Sequence, residues 1–348
     1  MSTNAEELDE LIAARMREGN IPGLSLAIIR DGRIAKAQGH GVADKTSQIP
    51  VTPDTLFQAA SISKVLAALA ALRLVEEGRL FLDEDVNNQL LSWKVPENAR
   101  TKTRKVTLRG ILSHTAGLTV HGFPGYATDS PVPTLVEILD GKGATNTEAV
   151  RVNIEPGGNA RYSGGGYTVL QLLIEDVTGQ PFSEFMRGAV LKPLGMASST
   201  FDQPLPQELA DKAATGHHQN GRAVTGRWHV YPEMAAAGLW TTASDLARCA
   251  IGIQQSLAGK SNKVISQSMT RQMLTRQADN YGLGVLLEGG EKAPVFHHGG
   301  RNCGFDSVLV AQANSGNGVA ALINSNDDSK AVVDILKIIA KYYHPSRN

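Results

Sequence analysis

Apolar residues recur at two different periods along this chain, and the period changes with position. Near the amino end Leu8, Leu11, Ile12 and Met16 fall on one face of a 3.6-residue repeat, which predicts a helix over residues 5–18. Leu24 to Arg30 predicts a strand, Asp31-Gly32 a hairpin turn, and Arg33 to Gln38 the returning strand. From Ser61 to about residue 200 helical patterns dominate, broken by Gly/Pro-rich connections. After residue 230 strands return, at Tyr281 to Leu287, Ala293 to His298, Ser307 to Ala311 and Val319 to Ile323. Ala331 to Tyr343 predicts a closing helix, apolar at Val332, Val333, Ile335, Leu336, Ile339 and Ala340. Strands at both ends around a helical middle predict an α/β (α+β) architecture. One mixed sheet is built from residues 1–60 and 230–348, and a mostly helical domain, residues 61–229, is inserted into it.

The longest apolar run, Val65 to Val75, has strong helix formers and almost no polar face, so it predicts a helix buried on all sides. It stops at Glu76-Glu77-Gly78, with glycine suited to the C′ position. At its mouth stands Ser61-Ile62-Ser63-Lys64. On a helix this spacing puts a hydroxyl and an amine on one face. A serine hydroxyl is a poor nucleophile until a neighbouring base takes its proton, and a lysine kept from water can lose its charge and become that base. No other serine in the chain has a lysine three residues on. An isolated Ser-x-x-Lys reads better as a helix cap followed by a surface lysine. The apolar run behind Lys64 decides the matter, because a buried charge must be paired or neutralised.

Two glycine-marked segments add chemistry. Tyr162 lies in Pro156-Gly157-Gly158-Asn159-Ala160-Arg161-Tyr162-Ser163-Gly164-Gly165-Gly166. Its phenol titrates too high for a base at neutral pH unless a nearby ammonium makes the phenolate accessible. In Phe296-His297-His298-Gly299-Gly300-Arg301 the two histidines point to opposite faces of a strand, so adjacency does not make them a metal site. Gly299 and Gly300 let a substrate lie against the strand backbone, where a peptide N–H joins that of Ser61 as an oxyanion hole. His114, alone between apolar positions, reads as a structural residue. The chain has no Cys-x-x-Cys, His-Glu-x-x-His, Gly-x-Ser-x-Gly, phosphate-loop or dinucleotide motif, so neither metal nor cofactor is expected.

Charge narrows the partners. Lys+Arg and Asp+Glu both number 34, which offers no handle for nucleic acid or an anionic membrane. No stretch is apolar enough to span a bilayer. The acidic, polar start lacks the marks of a secretory signal, so the expectation is a cytoplasmic protein, or the mature form of an exported one. Cys249 and Cys303 read as free thiols.

Taken in order, these segments resemble the serine β-lactamase and penicillin-binding-protein superfamily, on its class C side. The likeness runs through Leu56 to Lys64, Leu74 to Asp83, Val106 to Leu118, Leu194-Gly195-Met196 with Thr200-Phe201, Gly238 to Leu246, and His298-Gly299-Gly300 with Gly304-Phe305. It implies a mainly antiparallel sheet flanked by helices, with the active site at the domain interface. It also implies that Ser61 is the acylated nucleophile and that Lys64 and Tyr162 together act as base. His298 stands where the third motif has lysine or histidine, and Arg301 lends its backbone N–H to the oxyanion hole. Two positions depart from the pattern. Gly164 replaces the asparagine of Tyr-x-Asn, and His-Gly-Gly replaces Lys-Thr-Gly. The first removes an amide that would bind an acylamino side chain. The second removes a fixed ammonium, since histidine is only partly charged at neutral pH. The resemblance therefore implies an acyl-enzyme hydrolase of small esters, amides or β-lactams, with short-chain esters leading. A D-Ala-D-Ala-type peptidase, a class C-like β-lactamase, an acyltransferase and a silent binding protein on the same fold are the alternatives.

Overall fold

The computed structural model describes residues 2–290, 294–326 and 330–343. The chain opens with helix α1 (Ser2–Glu18), then strands β1 (Gly23–Arg30) and β2 (Arg33–Gly41). Between the strands Asp31 and Gly32 both have positive φ, +52° and +71°, the geometry of the tight hairpin turn that Asp-Gly favours. Four more strands come from the carboxyl part: β3 (Leu286–Glu288), β4 (Val295–Asn302), β5 (Phe305–Gln312) and β6 (Gly318–Ile323). They complete a six-stranded sheet in the order β2-β1-β6-β5-β4-β3, with every pair antiparallel.

Strand β1 is buried along nearly its whole length because the sheet is covered on both faces. Leu24, Leu26 and Ile28 face α1 and the closing helix Lys330–Tyr343, meeting Leu8, Ile12, Met16, Val332, Ile335 and Ile339. Ala27 and Ile29 face the larger core, which includes Leu246, Ala250 and Ile253 of the helix Ala243–Leu257. Leu11 and Val333, expected on the apolar faces, are instead exposed at 41% and 43%.

Helix α2 (Ser63–Glu76) runs through the larger core with Ser63 to Leu72 all buried, as its composition requires. Gly78, at φ +68°, ends it. Helix α3 (Gly164–Thr178) starts at Ser163, whose Oγ accepts the N–H of Gly166, and ends at left-handed Gly179. Between α2 and α3 the expected helical dominance gives way to three short helices, Ala99–Thr103, Leu108–Leu112 and Leu135–Asp140. The strand expected over Tyr281 to Leu287 is present only at Leu286–Glu288. Gly284, at φ +87°, turns the preceding segment so that its N–H reaches the carbonyl of Leu112. Ala293, expected to open β4, lies outside the described residues. Among the described residues no helix is long and apolar enough to cross a membrane.

Candidate active site

The segment bearing Ser61 is a strained connection between a strand and a helix. Phe57–Gln58 pairs with Trp240–Thr241, turns through the 3-10 segment Ala60–Ile62, and enters α2. Ala60 sits at φ +50°, a left-handed conformation that a residue with Cβ adopts only when its surroundings impose it. They do so here through a ring of hydrogen bonds. Ser63 Oγ donates to Ala60 O at 2.6 Å and accepts the N–H of Leu239 at 3.0 Å. Ser307 Oγ, on β5, donates to Ala59 O at 2.8 Å. Ser61 is left half-buried at the mouth of the helix.

Lys64 is 2% exposed. Its Nζ donates to Ser61 Oγ at 3.0 Å and to the carbonyl of Ala236 at 2.6 Å. Burial pulls its pKa from 10.5 down to about 7. Its other near neighbours are rings, with the Tyr162 and Tyr167 centroids 5.0 and 5.5 Å from Nζ. A large fraction of this amine is therefore uncharged at neutral pH, beside the hydroxyl it would deprotonate.

Tyr162 also reaches Ser61 through a hydrogen bond, but its protonation differs from the sequence expectation. Burial raises its pKa above the usual tyrosine range, and the bond to Ser61 offsets only part of that. Desolvation outweighs any help from the lysine, so the phenol stays protonated. Burial thus leaves the amine of Lys64 able to accept a proton and the phenol of Tyr162 still carrying one.

Strand β4 forms the opposite wall. Its partner β3 covers only Val295 to His297, so the edge from His298 onward lies free of that strand and packs against the nucleophile turn. A Cβ on Gly300 would stand 2.3 Å from Ala59 O and 3.0 Å from Ser61 N, which is why glycine is needed there. Gly299 is exposed, and a Cβ there would make only ordinary contact with Ser307 O at 3.7 Å. Arg301 pairs in register with Asp306, and its guanidinium grips that buried carboxylate through two 2.8 Å hydrogen bonds. Asn302 Nδ2 fastens the strand end to Gln58 Oε1 at 2.8 Å and Ala237 O at 3.0 Å.

Two further expectations change. His298 is buried, donates from Nδ1 to its neighbour's carbonyl, Gly299 O, at 2.6 Å, and is held down to about pKa 3 by burial and by the charge of Lys64. It is neutral at physiological pH, not partly charged. Gly164 is not an open position facing substrate. It is buried at the start of α3, where a Cβ would meet Phe123 Cε2 at 2.9 Å and His121 O at 3.1 Å. The phenyl ring of Phe123 and the chain at His121 fill the space beside it.

The structure also brings in residues that sequence reasoning passed over. The carbonyl of Ala236 and the ring of His121, 4.9 Å from that of Tyr162, belong to the site. His114, read as structural, stacks on Tyr162 at 4.4 Å, with Tyr281 edge-on to it at 5.0 Å. Among the described residues no group of three or more His, Cys, Asp or Glu is placed to hold a metal ion, and Cys249 and Cys303 are both free.

A half-buried serine, a buried lysine and a tyrosine brought together on this sheet-and-helix frame are the arrangement of a serine β-lactamase/penicillin-binding-protein type of fold. Residues 8–342 match the family described as Beta-lactamase, and the chain belongs to it. Protein flp of Staphylococcus aureus strain N315 is 26% identical over 331 residues, covering 93% of this chain and 64% of that protein. Esterase EstB of Burkholderia gladioli is 31% identical over 212 residues, 59% of this chain and 54% of EstB. The chain thus spans less than two thirds of the length of these curated relatives. Among solved structures, the octameric penicillin-binding protein homologue from Pyrococcus abyssi superposes with a TM-score of 0.79 at 26% identity. That match covers 96% of this chain and 77% of the other. EstCE1, described as a hydrolase with promiscuous acyltransferase activity, shares the fold with a TM-score of 0.77 at 22% identity, covering 97% and 98%.

Proposed function

We propose that the protein is a serine hydrolase that forms an acyl-enzyme on Ser61 and prefers short-chain carboxylic esters. The observation that carries this reading is the buried Lys64 amine, with pKa about 7, 3.0 Å from Ser61 Oγ. In the first half-reaction Ser61 Oγ bonds to the substrate carbonyl carbon while its proton moves to Lys64 Nζ. The oxyanion is held by the peptide N–H groups of Ser61 and Arg301. The ester C–O bond then breaks, and the proton passes through the Tyr162 hydroxyl to the leaving alkoxide. Water next adds to the acyl carbon, giving its proton to Lys64, and Ser61 Oγ leaves as it regains that proton.

The ester preference rests on what the walls lack. Phe123 occupies the space beside Gly164 and offers no amide partner for an acylamino side chain. His298 is neutral and gives no fixed charge for a substrate carboxylate. A buried amide left unpaired costs about 1–3 kcal/mol, enough to select against peptides and penicillins. The partial match to Esterase EstB agrees with this reading.

Intact mass spectrometry after exposure to a fluorophosphonate, nitrophenyl esters, β-lactams and acyl-D-amino peptides tests it. The expected result is an adduct on the native protein that Ser61→Ala lacks, with nitrophenyl acetate and butyrate turned over faster than nitrocefin. Wild-type turnover by Ser61→Ala would end the acyl-enzyme reading. Faster turnover of nitrocefin would replace the ester preference with the β-lactamase or peptidase alternative on the same nucleophile.

A further inference from the structure

Tyr162 sits in a stretch with no regular secondary structure, just before the cap of α3, yet its hydroxyl must be held against Ser61. One residue grips the backbone on both sides of it. The carbonyl of His114 accepts the N–H of Arg161 at 2.8 Å. The ring Nδ1 of the same His114 accepts the N–H of Ser163 at 3.1 Å. The ring then lies over Tyr162, with centroids 4.4 Å apart and planes inclined by 32°. To turn both its carbonyl and its ring toward residues 161–163, His114 adopts φ +60°, a left-handed conformation uncommon outside glycine. Because Nδ1 accepts a hydrogen bond, the neutral ring carries its proton on Nε2. The ring is itself held in place, edge-on to Tyr281 at 5.0 Å and 5.4 Å from Tyr167. The neighbouring attachments, Arg161 to the carbonyls of Gly117 and Leu118 and Ser163 Oγ to Thr119 O, anchor the flanking side chains, while the Tyr162 ring also has His121 at 4.9 Å, a neighbour with no hydrogen bond to the peptide groups at 161 or 163 among the described residues.

We propose that His114 is a positioning residue for Tyr162, clamping the peptide groups before and after it and backing its ring so that the phenol meets Ser61. This inference rests on the reading that Tyr162 takes part in proton transfer.

The test is a cycle of His114→Ala and His114→Asn, each made in the wild type and in Tyr162→Phe, with kcat and KM read on nitrophenyl acetate. Loss of position by about an ångström costs about 10²-fold in rate, so His114→Ala should lower kcat by about that factor with little change in KM. Asparagine places an acceptor near the position of Nδ1 and tolerates positive φ, so His114→Asn should recover about tenfold of the loss. In the Tyr162→Phe background neither change should cost more than about twofold, because there is no phenol left to place. Equal losses in both backgrounds, an effect confined to KM, or asparagine no better than alanine would overturn the proposal. So would loss of the native circular dichroism spectrum in both variants, which would assign His114 to the fold. Full activity in Tyr162→Phe alone is a different failure, since it removes the relay role of Tyr162 on which the inference stands.

Discussion

Replacing Lys64 with methionine should abolish acylation and, at neutral pH, make the protein more stable. Burial moves the lysine from 10.5 in the unfolded chain to about 7 in the fold. At about 1.4 kcal/mol per pH unit, holding that group inside costs the folded state about 4 kcal/mol at pH 7. Between the two values the unfolded chain binds a proton that the folded chain lacks. Stability therefore rises with pH from about 7 toward 10.5, and below 7 this contribution is constant. At pH 9 the cost has fallen to about 2 kcal/mol. Methionine removes it but leaves the carbonyl of Ala236 without the bond it accepts from Nζ at 2.6 Å, a loss of about 1–3 kcal/mol that does not vary with pH. The variant should thus be about 1–3 kcal/mol more stable than the wild type at pH 7, with the difference near zero at pH 9. Urea titrations of both proteins at the two pH values measure it. A difference independent of pH, or a variant less stable at pH 7, would refute the claim that burial lowers the pKa of Lys64 toward neutrality.

Three further outcomes are expected. Gly300→Ala forces a Cβ to within 2.3 Å of Ala59 O, a backbone atom, and should cost about 10²-fold or more in kcat/KM; an unchanged rate would mean that β4 does not brace the nucleophile turn. Glu233 is fully buried, its carboxyl oxygens have no partner among the described residues, and burial raises it to about 8. The folded state keeps that proton while the unfolded chain loses it, so stability falls by about 1.4 kcal/mol per pH unit from about 4.5 to 8; thermal melts of Glu233→Gln across that window should lack this slope. Gly164→Asn alone should impair ester turnover through collision with Phe123, whereas Phe123→Ala with Gly164→Asn should raise the nitrocefin-to-ester rate ratio above that of the wild type, a comparison made in one plate assay.

The closeness of Ser61 and Lys64 was legible in the sequence because their relation is local: they stand three residues apart, across the junction of a 3-10 turn and α2, backed by an apolar run that leaves the lysine nowhere to go but inside. The positions of most strands along the chain were legible for the same reason, and the positive φ of Asp31 and Gly32 matches a turn written in two letters. Tyr162 and His298 lie far from Ser61 in the chain and entered through the resemblance of whole segments, not through spacing. What stayed hidden depends on loops. The clamp by His114 needs a left-handed residue at the end of a short helix, and the filling of the space beside Gly164 needs Phe123 to arrive from a segment without regular structure. Electrostatics was hidden as well. Proximity of Lys64 to Tyr162 suggested a phenolate, but both are buried, and desolvation drives each toward its uncharged form.

The pairing of β1 with β6, Leu24 opposite Ile323, has a consequence for how the molecule is made. On the ribosome β1 and β2 emerge early, yet the second hydrogen-bonding edge of β1 stays bare until β6 follows some three hundred residues later. Contacts this distant in the chain form slowly, and an apolar strand with an open edge is prone to pair with the wrong partner meanwhile. Strand β4 arrives in the same late stretch, so the turn bearing Ser61 has no opposing wall until the sheet closes. Assembly of the wall opposite Ser61 and protection of the vulnerable edge are one event, and a chain arrested before β6 would be sticky and lack a finished site at once.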